Sequence, residues 1–149
     1  MSELKDLYQE IILDHNRHPR NYGKMSDCTH KAEGYNPMCG DHYSIYLKID
    51  NERITDVTFE GAGCAISKSS ASMMTANLKG KTVEEAKSMF NEFQNMMTSD
   101  KPCIEVPEEI CTVEPLQGVR EFPTRIKCAT LIWHTMNNAL NGNDESPTE

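Results

Sequence analysis

Apolar positions along this chain recur with two periods, and the change from one to the other divides it into elements. Leu4, Leu7, Tyr8, Ile11 and Ile12 follow helical spacing until Pro19 stops the pattern, so the chain is expected to open with an amphipathic helix. Tyr43, Ile45, Leu47 and Ile49 alternate with Ser44, Tyr46 and Lys48, the period-2 signature of a strand buried on one face. Asp50-Asn51-Glu52-Arg53 reads as a turn, Val57 and Phe59 continue on a second strand, and a third strand is expected around Cys28 to Ala32.

The helical period then takes over. Gly61-Ala62-Gly63 closes the hairpin, and Cys64 stands at the mouth of a segment that reads as helix to about Leu78, ended by Gly80. Thr82-Val83-Glu84-Glu85 is a capping box for a helix whose Val83, Ala86, Phe90, Phe93 and Met97 make one stripe. Between Thr98 and about Gly118, Pro102, Pro107 and Pro115 break the pattern into short helical turns and loop. Pro123-Thr124 starts the last helix, which carries Ile126, Ala129, Trp133, Met136 and Leu140 to a stop at Gly142. Strands followed by helices, without βαβ alternation, predict an α+β fold in which a small antiparallel three-stranded sheet packs against helices. Residues 1–142 read as one domain, and the polar, acidic residues 143–149 as a disordered tail.

Composition narrows the function. A chain of 149 residues can bury roughly two thirds of its unfolded surface in one core without a metal or disulfide to hold it. It opens without a basic start and apolar stretch and has no run of membrane-spanning length, so a cytoplasmic, soluble protein without a membrane partner is expected. In that compartment six cysteines point to reduced, metal-bound or catalytic thiols. Fifteen Lys and Arg against 23 Asp and Glu give a net charge of -8, which argues against nucleic acid as a partner. Against that background His15 to Lys24 is locally basic: Arg17 and Arg20 either complement the end of the first helix or dock an acidic protein.

Three cysteines stand apart from the rest. Cys39 lies in Asn36-Pro37-Met38-Cys39-Gly40-Asp41, Cys64 in Gly61-Ala62-Gly63-Cys64, and Cys128 in Arg125-Ile126-Lys127-Cys128. Turn or helix-start sequence around each predicts exposed thiols aimed at a common point. Cys39 and Asp41, two apart in a Pro/Gly turn, can converge on one ion. Cys64 and Cys128 are expected in first helical turns, where free N–H groups and the helix dipole favour negative charge, and Arg125 and Lys127 add positive field beside Cys128. Three thiolates and a carboxylate suit a tetrahedral ion, and the soft ligands select zinc or iron over magnesium or calcium. Cys28, Cys103 and Cys111 read as ordinary buried cysteines. His42 sits beside Asp41 but points to the opposite face of its strand. His134 lies about 240° around the helix from Cys128, and it and His30 read as surface or core residues.

Several of these stretches together resemble a known family. Asp14-His15 with Pro19-Arg20-Asn21, Asn36-Pro37 with Cys39-Gly40-Asp41, Gly61 with Gly63-Cys64 and Ile66-Ser67, Ala71-Ser72-Met73-Met74, and Arg125-Ile126-Lys127-Cys128-Ala129-Thr130-Leu131 with Trp133 are similar to the IscU/SufU (NifU N-terminal-like) iron-sulfur assembly proteins. The likeness covers nearly the whole chain and is nearest to the SufU branch. The stretch from about Met96 to Phe122, with Leu116-Gln117-Gly118-Val119, resembles the SufU insertion, and Lys127 stands where the IscU branch has histidine. Where that branch carries a chaperone-read Leu-Pro-Pro-Val-Lys, this chain reads Phe122-Pro123-Thr124-Arg125-Ile126.

The resemblance implies a zinc-dependent sulfurtransferase. It would accept persulfide sulfur from a SufS-type cysteine desulfurase and pass it to downstream iron-sulfur assembly proteins, with zinc held by Cys39, Asp41, Cys64 and Cys128. A free thiol is only roughly 3% thiolate at pH 7, so a sulfur acceptor gains from a metal that holds it deprotonated. Cys39, on a turn that can swing away, is the expected acceptor, and Arg125 would orient its thiolate or contact the partner. The alternatives are a scaffold building a [2Fe-2S] cluster on the same residues, a structural zinc module, and, last, a thiol oxidoreductase, for which there is no Cys-x-x-Cys pair.

Overall fold

The alternation read in the sequence becomes a meander of three antiparallel strands. In a computed structural model describing residues 2–99, 108–142 and 145–147, β1 (His30–Asn36) pairs with β2 (Asp41–Asp50), which pairs with β3 (Arg53–Ala62). The inner face presents Ala32, Tyr43, Ile45, Leu47, Ile54, Val57 and Phe59, all essentially excluded from water. Asn51 and Glu52, both at positive φ (52° and 62°), make the two-residue turn between β2 and β3, as the right-handed twist of a hairpin favours. Tyr46 departs from the expected polar face: it is buried against the outer side of the sheet, where its hydroxyl bonds Glu60 at 2.7 Å and Lys31 lies over its ring.

Helix α1 (Ser2–Arg17) precedes the sheet, α2 (Ala65–Leu78) and α4 (Pro123–Leu140) cover its apolar face, and α3 (Val83–Thr98) packs on α4. The capping box of α3 forms as predicted, Thr82 and Glu85 exchanging side-chain to backbone bonds of 3.1 and 2.9 Å. Helix α4 is buried over far more than its predicted stripe, from Cys128 through Leu140, because it packs against β1 and β2, α2, α3 and the segment before it. Trp133 stacks on Phe93 with ring centres 4.2 Å apart.

Helix α2 is the element whose character the apolar pattern conceals. Ser67, Ser69, Ser70, Ser72 and Thr75 are buried, and their hydroxyls bind neighbouring elements. Ser69 donates to the Ile12 carbonyl (2.5 Å), Ser70 donates to the Ala129 carbonyl (2.6 Å) and accepts from the Trp133 indole (3.1 Å), and Ser72 accepts from the Arg20 backbone (2.8 Å) and bonds His15 (2.7 Å). Small side chains let three elements close on one helix, and each buried hydroxyl finds the partner that burial demands. The basic stretch after α1 is drawn into this packing: Arg20 folds back on Asp14 (2.7 Å) and the His18 carbonyl (2.9 Å) at the end of α1.

Three expectations are corrected. The region read as short helical turns and loop holds the helical turns but, from Glu108 to Glu121, not the loop: it is a run of 3-10 turns kinked at Ile110. Ile110, Val113, Leu116 and Val119 are all buried, and their spacing of three is the repeat of a 3-10 helix, in which every third residue eclipses the last. Second, Cys111 falls between those rows and is exposed, and Cys28 is half-buried, so neither is an ordinary buried cysteine; Cys103 lies outside the described residues. Third, part of the tail expected to be disordered is β4 (Glu145–Pro147), which adds parallel to β1 at Glu33–Tyr35. The open backbone groups of edge strand β1 offer that pairing. Among the described residues no helix is long and apolar enough to cross a membrane.

Candidate metal centre

The turn at residues 37–40 joins β1 to β2 and carries Cys39, whose N–H bonds the Asn36 carbonyl at 3.2 Å. Gly40 takes the left-handed conformation that closes it (φ 70°). Asp41 lies beyond the turn, as the first residue of β2, paired with Asn36 and 1% exposed. It therefore belongs to the rigid sheet rather than to a mobile turn with Cys39, as the sequence reading had it. Cys64 is the N-cap of α2, its sulfur accepting from the Ser67 N–H at 3.4 Å. Cys128 sits in the second turn of α4, not the first, and is fully buried rather than exposed, since α4 is enclosed on most sides.

These elements bring three predicted residues together. Ligand atoms of Cys39, Asp41 and Cys128 lie within 4.8 Å of one another, and the Cys39 and Cys128 sulfurs are 3.2 Å apart. Cys64 adjoins the group through its backbone, donating its N–H to Asp41 Oδ1 at 2.9 Å, while its sulfur caps its own helix. Asn36 reaches the Cys128 sulfur at 3.9 Å.

Electrostatically the cluster is poor in positive charge for what it holds. Burial pushes the Cys128 thiol well above its ordinary range, helped by its bond to Cys39 and by the negative charge of Cys64 and Asp41. The exposed Arg125 guanidinium is the nearby cation, its own protonation favoured by the Cys128 sulfur and by the fields of Cys64 and Cys39. Asp41 Oδ1 is fully engaged, by the Cys64 N–H and the Ser67 hydroxyl (3.1 Å), whereas Oδ2 is buried without a hydrogen-bond partner. A buried carboxylate oxygen left bare costs free energy unless something binds it. Two clustered thiols, a third adjoining, and that oxygen form a donor set that fits a thiophilic cation such as zinc.

His42 is exposed on the opposite face of β2, bonded to Glu33 at 3.2 Å, and His134 lies edge-on to Phe90, so neither joins the centre. His30 bonds Thr29 at 2.9 Å. Sequence reasoning missed Ser67 and Tyr43, whose hydroxyls meet at 3.0 Å behind Asp41. The available signals were their offsets, three from Cys64 and two from Asp41. Gly63 seals this group, because a Cβ there would collide with Asp41 Oδ1, Ser67 Oγ and the Tyr43 hydroxyl.

A sheet of three antiparallel strands, extended by β4 along β1 and covered by helices, with cysteines from a turn, a helix cap and a buried helix gathered around one carboxylate, defines an α+β protein with a candidate thiolate metal centre. The model of the NifU-like N terminal domain matches residues 7–129. The zinc-dependent sulfurtransferase SufU of Bacillus subtilis is 41% identical over 139 residues, covering 93% of this chain and 92% of that protein. The iron-sulfur cluster assembly scaffold protein IscU of Streptococcus pyogenes is 37% identical over 140 residues, covering 94% and 86%. A crystal structure from Fervidobacterium islandicum, described as a proposed iron-sulfur cluster assembly scaffold protein for the SUF system, has a TM-score of 0.79 at 35% identity, covering 88% of this chain and 94% of that one. The chain belongs to the NifU-like N-terminal domain family, that of the IscU and SufU proteins.

Proposed function

We propose that this protein is a zinc-dependent sulfur acceptor that takes persulfide sulfur from a SufS-type cysteine desulfurase in the cytoplasm and delivers it for iron-sulfur cluster assembly. The observation that carries the reading is the bare, buried Oδ2 of Asp41 beside two thiols 3.2 Å apart. The likeness to a relative named as a zinc-dependent sulfurtransferase supports it. Cys39, Asp41, Cys64 and Cys128 would hold the zinc, which when bound supplies the counter-charge that keeps clustered thiols ionised.

The chain's own residues divide the remaining work. Cys128 is sealed in α4, and Cys39 and Cys64 are both half-exposed, but Cys64 is tied to its helix cap whereas Cys39 lies on a turn, so Cys39 is the thiol freest to meet an incoming donor. Its thiolate attacks the terminal sulfur of the donor's persulfide. The donor's S–S bond breaks, its cysteine leaves with the electron pair, and Cys39 carries the terminal sulfur as a new persulfide. Arg125, exposed beside the three sulfurs, offers positive charge to the anionic sulfur during the exchange. Met38, next to Cys39, and Phe122, at the start of α4, are 79% and 59% exposed and give a partner apolar surface beside the site.

A second reading, a [2Fe-2S] scaffold on the same residues, is supported by the scaffold-named relative that covers as much of the chain. Lys127 weighs against it, because an ammonium cannot replace the histidine of that branch as a ligand. Anaerobically purified protein is expected to hold stoichiometric zinc without visible absorbance and to stimulate desulfurase turnover. Cys39→Ala is expected to stay folded and lose the stimulation. A coloured cluster that moves to an apo-acceptor would favour the scaffold, and full stimulation by Cys39→Ala would sink the assignment of Cys39.

A further inference from the structure

A carboxylate that serves a metal through one oxygen needs its other oxygen fixed, and in this site both halves of that arrangement are visible. Asp41 Oδ1 accepts from the Cys64 N–H (2.9 Å) and lies 3.1 Å from Ser67 Oγ, while Oδ2 is buried and unpartnered. The Ser67 hydroxyl has one proton and four possible acceptors in reach, Asp41 Oδ1, the Cys64 carbonyl at 3.0 Å, the Tyr43 hydroxyl at 3.0 Å and, more distant, the Cys64 sulfur at 3.6 Å. A carboxylate is the stronger acceptor. With its one proton given to Asp41, Ser67 can only accept from the phenol O–H of Tyr43, whose ring is packed against Phe59. Tyr43 therefore donates to Ser67, and Ser67 donates to Asp41.

Building on the reading of the site as a zinc centre, we propose that Ser67 and Tyr43 are positioning residues that lock Asp41 through Oδ1 and leave Oδ2 as its single metal-binding oxygen. The relay also ties the two elements that supply ligands. Tyr43 shares the inner face of β2 with Asp41, and Ser67 lies one helical turn after Cys64 in α2. Hydrogen-bond partners of this kind orient ligands, and their loss typically lowers metal affinity about 10–100-fold.

The test is zinc affinity of the full chain, measured by competition with a chromogenic chelator, alongside thermal melts of the metal-free forms. Ser67→Ala is expected to bind zinc about 10–100-fold more weakly. Tyr43→Phe, which keeps the buried ring, should shift affinity in the same direction by less, and it carries the test alone if Ser67→Ala does not fold. In an Asp41→Ala background, Ser67→Ala should have no further effect on affinity, whereas a merely structural serine would weaken both backgrounds equally. Unchanged affinity in both single variants, or equal loss in both backgrounds, overturns the inference. Wild-type protein without zinc affinity overturns the zinc reading itself, so the two failures are distinguishable.

Discussion

Cys39, Asp41, Cys64 and Cys128 could be picked out of the sequence because the residues around them, Pro37, Gly40, Gly61, Gly63 and Pro123, announce turns and helix starts. Their depth could not. Whether a thiol is exposed depends on what packs around its element, and α4 turned out to be enclosed, so Cys128 is sealed while Cys39 is half-exposed. Ser67 and Tyr43 stand three from Cys64 and two from Asp41, but that these two residues, 24 positions apart, meet each other shows only when β2 and α2 are brought together. Two histidines make a prediction at the same scale. His15 is held below its ordinary pKa of 6.5 by burial and then by the Arg20 charge, and His134 by burial alone. Both pKa values are depressed in the folded state, so the unfolded chain takes up more protons as pH falls through the ordinary histidine range. Their contribution to stability is complete above that range and is lost as pH falls toward the folded values. The urea midpoint of the metal-free protein is expected to drop between about pH 7.5 and pH 5.5. His134→Gln should make the drop shallower, and an unchanged pH profile in that variant would contradict the assignment.

Elements with a regular period were read well, and those with an unusual one were not. The alternation of β2 and β3 and the helices α3 and α4 follow periods of 2 and 3.6 and appear where expected, whereas β1 (His30–Asn36) runs beyond the expected Cys28 to Ala32 and α4 is buried beyond its stripe. The row Ile110, Val113, Leu116 and Val119 repeats every three residues, a period seldom sustained, and Pro102, Pro107 and Pro115 point instead to separate short turns with loop between them. Strand β4 escaped because its pairing depends on the free edge of β1 rather than on an apolar pattern of its own. The β2–β3 turn gives a direct test of local conformation. Glu52 holds a φ of 62°, a left-handed conformation that a side chain disfavours and glycine accepts. Glu52→Gly is expected to stabilise the protein by about 1 kcal/mol, read as a higher denaturation midpoint. A lower midpoint would show that the Glu52 side chain contributes more than its backbone costs.

On the scale of the whole molecule, the fold serves mainly to bring together residues that the sequence keeps far apart. Cys39 and Cys128 are 89 positions apart and meet at 3.2 Å because α4 crosses the sheet beside the β1–β2 turn. No local spacing motif could have shown that, whereas the α+β class followed from the order of strands and helices alone. The same arrangement makes the three cysteines unequal, with Cys128 buried, Cys64 capping a helix and Cys39 on the accessible turn. That inequality is the central claim. It is tested most directly by incubating the protein with a SufS-type desulfurase and cysteine, trapping thiols and persulfides by alkylation, and locating the added sulfur by peptide mass spectrometry. One extra sulfur atom on the Cys39 peptide is the predicted result. Sulfur on Cys64 or Cys128 instead, or none on any of the three while the desulfurase turns over, would contradict the account.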